Sequence, residues 1–200
     1  MAESPTRAVA PRHAASLIVL RDETSVLMGM RGARHRFMPN RLVFPGGAVD
    51  RADARAPVAA DPTPETLAAL GRAAKPALAR ALCVAAAREL EEETGLTLGV
   101  PPDLSDLDYL CRAVTPPSNP MRFNARFLVV DAARLAGSLA GSGELENLRW
   151  FGIEEALALD LALVTREVLQ TLQSWLALSP AARRTRAVTP VFRLRRWREE

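Results

Sequence analysis

The chain has 200 residues, 48% apolar and 24% charged, with a net charge of +3, which is the size and balance of one well-cored domain. No stretch approaches the roughly 20 consecutive apolar residues of a membrane span. The N-terminal apolar run breaks into charge at Arg21, short of a secretory core. Cys83 and Cys111 stand singly inside apolar segments, so they are expected as reduced core residues of a cytoplasmic protein.

Residues 1–13 read as a loose lead-in. AASLIVLR (14–21) and SVLMGMR (25–31) then read as short apolar strands joined by a turn. A basic loop, GARHRFMPN, leads to RLVF and a Pro-Gly-Gly turn. Residues 51–76 are rich in Ala, Pro and Asp, with a short helix expected after Thr63. Ala77 to Thr94 is expected as a helix closed by Gly95 in a left-handed cap. Residues 107–115 and 122–131 read as strands around a Pro-rich turn. In the second, Phe123, Ala125, Phe127 and Val129 face one way and Asn124, Arg126 and Leu128 the other. LRWFG (148–152) reads as a further strand, and IEEALAL and TREVLQTLQSWLAL as amphipathic helices. The pattern predicts an α/β (α+β) domain over 14–178, a mixed sheet carrying few helices. Residues 179–200 read as a basic tail whose arginines pair with surface carboxylates; a nucleic-acid surface would need aromatic–basic interleaving that is nearly absent. Together with the last helix, that tail is a candidate homodimer contact.

The run RELEEETGL (88–96) puts four glutamates into five positions. On a helix, Glu89, Glu92 and Glu93 fall within an arc of about 100°, while Glu91 points away. Cys83, Ala86, Ala87 and Leu90 occupy a neighbouring arc, small enough for the helix to lie close on a sheet. Like charges at this spacing cost roughly 0.2–0.5 kcal/mol per pair. The helix C-terminus disfavours anions as well. A divalent cation among the three removes the cost, and oxygen-only donors select Mg²⁺ or Mn²⁺. A solvated acidic face is the alternative. Upstream, Gly46 and Gly47 end a strand where an unobstructed peptide carbonyl could add another hard oxygen.

These residues resemble the Nudix hydrolase box: a glycine, five residues, an acidic residue, then Arg-Glu-aliphatic-x-Glu-Glu-x-Gly-aliphatic. Gly47 plus five residues reaches Asp53, and Arg88, Glu89, Leu90, Glu92, Glu93, Gly95 and Leu96 fill the second half. The chain departs in having Asp53 for glutamate and in residues 54–87 where the compact pattern has seven. An insertion at about 54–80 is similar to the subgroup that includes peroxisomal acyl-coenzyme A diphosphatases, as is the run FMPNRLVFPGGAVDRAD.

The resemblance implies a Nudix-type α/β/α sandwich with the catalytic helix packed on a mixed sheet. It also implies Mg²⁺- or Mn²⁺-dependent hydrolysis of a nucleoside diphosphate linked to another moiety. Glu89, Glu92 and Glu93 would hold metal, the Gly46 carbonyl would complete the shell, and Arg88 would orient the glutamates. The general base would be Glu89 or a loop glutamate, Glu144 before Glu146. Arg31, Arg126 and the Gly47 backbone are the expected substrate contacts, with Arg34, His35 and Phe37 as weaker candidates. Coenzyme A or acyl-coenzyme A is one substrate reading, ADP-ribose or a nucleotide sugar the other. A non-catalytic Nudix-fold binding module stays open beside both.

Overall fold

A computed structural model describes residues 9–33 and 37–200. Its strands are β1 (Arg12–Arg21), β2 (Ser25–Arg31), β3 (Leu42–Val43), β4 (Gly46–Ala48), β5 (Leu96–Thr97), β6 (Asp108–Val114), β7 (Phe123–Asp131), β8 (Ala136–Gly137), β9 (Leu145–Gly152), β10 (Pro190–Arg193) and β11 (Arg196–Glu199). The helices are α1 (Pro64–Gly71), α2 (Pro76–Thr94), α3 (Ile153–Ala158), α4 (Leu163–Leu176) and α5 (Pro180–Arg184).

One mixed nine-stranded sheet runs β11-β10-β6-β7-β1-β2-β3, with β4 also on β1 and β9 on β2; β5 and β8 make a separate ribbon. β1 lies at the centre, parallel to β7 and antiparallel to β2 and β4. Its near-continuous burial follows, because both faces are covered. Ala15, Leu17 and Val19 pack with Leu82, Cys83, Ala86 and Leu90 of α2 on one face. Ile18 and Leu20 pack with Val168, Leu169, Leu172 and Trp175 of α4 on the other. The result is the helix–sheet–helix sandwich the sequence predicts.

α2 starts at Pro76, where the missing N–H costs nothing. It ends at Gly95 with φ 73°, whose N–H bonds the Glu91 carbonyl. Its alanine-rich inner face lets the helix axis approach the sheet, and that closeness sets its last turns against β4. Cys83 and Cys111 are buried and unpaired, and burial pushes the Cys83 thiol up to about 12. Among the described residues no helix is long and apolar enough to cross a membrane.

Three elements differ from the sequence reading. Pro-Gly-Gly is not a free turn: Gly46 and Gly47 are strand residues paired with Ser16 and Ala15. Arg12 and His13, assigned to a loose lead-in, begin β1. Residues 179–200 are folded: β10 pairs in parallel with β6, and β11 closes on β10. Val191 and Phe192 are buried there, while the arginines between them and Trp197 face solvent, which is why composition alone reads as a tail. Trp197 packs on Phe192 at 5.1 Å between centroids and donates its indole N–H to Glu167 of α4 at 2.6 Å. Trp197→Ala should therefore lower unfolding free energy by about 2 kcal/mol in denaturant titration. An unattached tail would show no change.

Candidate active site

β4 and the last turns of α2 meet residue by residue. The Gly46 N–H donates to Glu93 Oε2 at 2.8 Å. A Cβ on Gly47 would lie 2.3 Å from the Glu89 carboxylate, so this approach exists only because the residue is glycine. The Ala48 carbonyl accepts from Arg88 Nη2 at 3.1 Å.

Arg88 joins the rest. Its Nε and Nη2 fork onto Asp53 Oδ1 and Oδ2 at 3.0 and 3.2 Å. Its Nη1 serves both Glu89 Oε1 at 2.8 Å and Glu92 Oε2 at 3.0 Å. Asp53 is buried and also accepts from the Asp50 N–H at 2.7 Å. The first acidic position thus grips the arginine that aligns two of the glutamates. The Asp53 hydrogen bond first, and Glu89 after it, hold the guanidinium more firmly protonated than usual.

The three glutamates differ in setting. Glu92 keeps 57% of its side chain exposed, Glu89 13%, and Glu93 as a residue only 2%. Burial pushes the Glu93 carboxyl up to about 7, outweighing the Gly46 N–H that favours its anion. Burial raises Glu89 too, against the pull of Arg88. Glu91 is exposed, as expected. The trio shares one end of α2 but divides: Glu89 and Glu92 turn to Arg88, Glu93 to β4. Among the described residues no three His, Cys, Asp or Glu side chains close into a single metal-ligand group.

The remaining candidates separate into near and far. Glu144 stands exposed in the loop before β9, and its charge raises both Glu89 and Glu93. That loop is tied to α2 through Ala140 N–H to the Thr94 carbonyl at 2.8 Å and Ser142 N–H to the Glu93 carbonyl at 3.5 Å. Glu146 lies on β9 opposite Met30, exposed. Arg31 ends β2; its charge favours the Glu93 anion, and its Nε is buried without a partner among the described residues. Phe37 packs edge-on against Phe123 at 4.8 Å. Arg34 and His35 lie outside the described residues.

Arg126 does not face the glutamates. It is 1% exposed and donates to the Asn124 and Ala73 carbonyls at 2.9 and 3.0 Å, with His13 Nδ1 at 2.9 Å. Alternation put it on the same face as Leu128, as the structure does, but that stretch of β7 lies by the α1–α2 connection rather than the helix's acidic end. The Asp50 N–H and the Ala48 carbonyl, both holding the Asp53–Arg88 pair, had no signal in the sequence, because backbone groups carry none.

The donor set fits a hard divalent cation. It offers three carboxylates and neither nitrogen nor sulfur, and one carboxylate is buried with a single neutral donor. The two glycines can be told apart by substitution. A Cβ at Gly46 would strike the Ala15 carbonyl at 2.5 Å and Ser16 Cα at 2.6 Å, backbone atoms that cannot yield. Gly46→Ala should cost at least about 2 kcal/mol of stability. At Gly47 the obstacle is the end of the Glu89 side chain, which can swing away, so Gly47→Ala should cost less than about 1 kcal/mol. Equal losses by denaturant unfolding would contradict this geometry.

The NUDIX domain family model matches residues 81–172. The fold is similar to that of a NUDIX hydrolase from Alicyclobacillus acidocaldarius, 26% identical, covering 88% of this chain and 97% of that one with a TM-score of 0.63. A MutT NUDIX hydrolase from Burkholderia pseudomallei shares the fold at 22% identity, covering 82% of this chain and 98% of that one, TM-score 0.55. A curated Caenorhabditis elegans relative, by name a nudix hydrolase, is 53% identical over 45 residues, which are 22% of this chain and 15% of that protein. The acidic end of α2 that is locked to the Gly-Gly strand lies within the segment, residues 81–172, that is similar to the NUDIX domain family, and the sheet around it has the fold of a NUDIX hydrolase structure.

Proposed function

We propose that this protein hydrolyses the diphosphate bond of a nucleoside diphosphate joined to another moiety, with Mg²⁺ or Mn²⁺ at Glu89, Glu92 and Glu93. One observation carries the reading. Glu93 is buried with the Gly46 N–H as its neutral partner, and burial pushes it up to about 7, a cost to the anion that a bound cation would relieve. A carboxyl pushed from 4.5 up to about 7 corresponds to about 3 kcal/mol of unfavourable burial of the anion. A non-catalytic module has no reason to keep that cost.

When bound, the metal neutralises the diphosphate and lowers the pKa of a water. The chain's own residues do the rest. Gly46 and Gly47 bring β4 close enough for the substrate to reach the α2 carboxylates past bare backbone. Asp53 fixes Arg88, and Arg88 holds Glu89 and Glu92 at a set spacing until they are needed. Arg31, whose buried Nε has no partner among the described residues, is assigned to a phosphate oxygen. Glu144 is assigned as general base ahead of Glu146 and beside Glu89, because both Glu89 and Glu93 register its charge and its loop is stitched to the helix. Arg126, buried away from the cluster, takes no part.

Coenzyme A and acyl-coenzyme A head the substrate reading. They are supported by the run from Phe37 to Asp53 and by the long segment between the halves of the box. ADP-ribose and nucleotide sugars come second. The test is product release from coenzyme A, acyl-coenzyme A, ADP-ribose, nucleotide sugars and nucleoside triphosphates with Mg²⁺ or Mn²⁺, comparing wild type with Glu92→Gln. Glu92 is exposed, so the variant should fold normally. Turnover of one class, reduced at least about a hundredfold in the variant, is expected. Equal turnover in both proteins would overturn the assignment of Glu92, and no turnover of any class the reading as a whole.

A further inference from the structure

A groove of about 420 Å³ opens where the start of β1, the 49–54 turn and the first turns of α2 come together. A much smaller cavity, between α1 and the C-terminal arginines, is about 20 Å³, room for one water. The groove's floor is apolar, from Val49, Leu78 and Ala81, and its edge carries Arg12 and Arg51 against one carboxylate, Asp50. Asp53, the next acid along, is already committed to Arg88.

His13 lines the same end and has an orientation imposed from behind. An arginine has no acceptor, so His13 Nδ1 must accept from Arg126 Nη1 at 2.9 Å. In the neutral ring the proton then sits on Nε2, which is the ring's donor. Partial desolvation, then the charges of Arg126 and Arg112, lower the His13 imidazole from its ordinary pKa. Arg126 itself is 1% exposed, and its partners among the described residues are His13 and the Asn124 and Ala73 carbonyls. Two rim arginines, with the buried Arg126 behind His13, outnumber Asp50 at one end of this apolar groove and make it electropositive.

We propose that this groove binds a small amphipathic anion, its apolar body on Val49, Leu78 and Ala81 and its phosphate, sulfonate or carboxylate at the Arg12–His13–Arg51 end. The site is separate from the acidic cluster and does not depend on the hydrolysis reading. The two are nonetheless joined. The turn that walls the groove contains Asp53, and Ala81 lies about 10 Å along α2 from Arg88. An occupant therefore shares a wall with the residue that aligns Glu89 and Glu92. It can be the far arm of a substrate or a separate small anion.

The test uses the full chain and two probes of similar shape, 8-anilinonaphthalene-1-sulfonate and its uncharged relative N-phenyl-1-naphthylamine. Saturable one-to-one binding of the sulfonate is expected. The double variant Arg12→Gln, Arg51→Gln should weaken it about tenfold or more while changing the neutral probe less than about twofold. Ala77→Phe, at an exposed first-turn position that faces the groove, should abolish both; Ala54→Phe blocks from the opposite wall if that variant fails to fold. Unsaturable binding, or affinities indifferent to the blocking variants, would overturn the proposal. Displacement by an acyl-bearing nucleoside diphosphate but not by the bare one identifies the substrate's own arm. Displacement by a medium-chain carboxylate as readily identifies a separate ligand. Failure of every such anion to compete overturns the site.

Discussion

The contact between Gly46–Ala48 and the C-terminal half of α2 governs the arrangement. It brings together two segments far apart in the chain, and it works only at close range. The strand has no side chain at Gly47, the helix face is mostly alanine, and Pro76 and Gly95 fix where the helix begins and ends. Once the two backbones touch, Glu93 is buried by necessity, Glu89 fills the space a Cβ would take, and Arg88 reaches the Ala48 carbonyl. The rest of the sandwich serves to hold that register: β1 carries β4 on one edge and packs α2 on one face.

Charge is handled unevenly across the cluster. Three carboxylates meet one arginine, yet Asp53 takes the fork of that arginine and Glu92 stays largely in water. Glu93 alone is buried without a cationic contact. Its raised affinity for a proton and a site for a divalent cation are two readings of one electrostatic fact, because either positive charge satisfies the same oxygen.

Much of this was legible in the sequence. The fixed spacing from Arg88 to Leu96, the left-handed cap at Gly95 and the alternation along β7 are local patterns, and local patterns survive in a one-dimensional reading. Non-local pairings did not. Gly46 and Gly47 read as a turn because a glycine pair usually is one, and nothing nearby announces that Ser16 is their partner. The arginines of residues 193–198 hid the alternation of Val191, Phe192 and Trp197, whose partners lie on β6 and α4. Arg126 was placed on the correct face of its strand and assigned the wrong neighbour. A period of two tells which face a side chain takes, but not how far along the sheet it sits from a site.

The central claim is that Glu93 is a buried carboxylate kept for a cation, and thermal unfolding against pH in metal-free buffer tests it most directly. Its folded pKa is raised, so its contribution to stability is fully present below about 4.5 and lost as pH rises through about 7. Wild type should therefore lose stability relative to Glu93→Gln across that window, by up to about 3 kcal/mol, and Mg²⁺ should restore wild type but not the variant. Parallel curves for the two proteins, or an equal shift of both by Mg²⁺, would contradict the account.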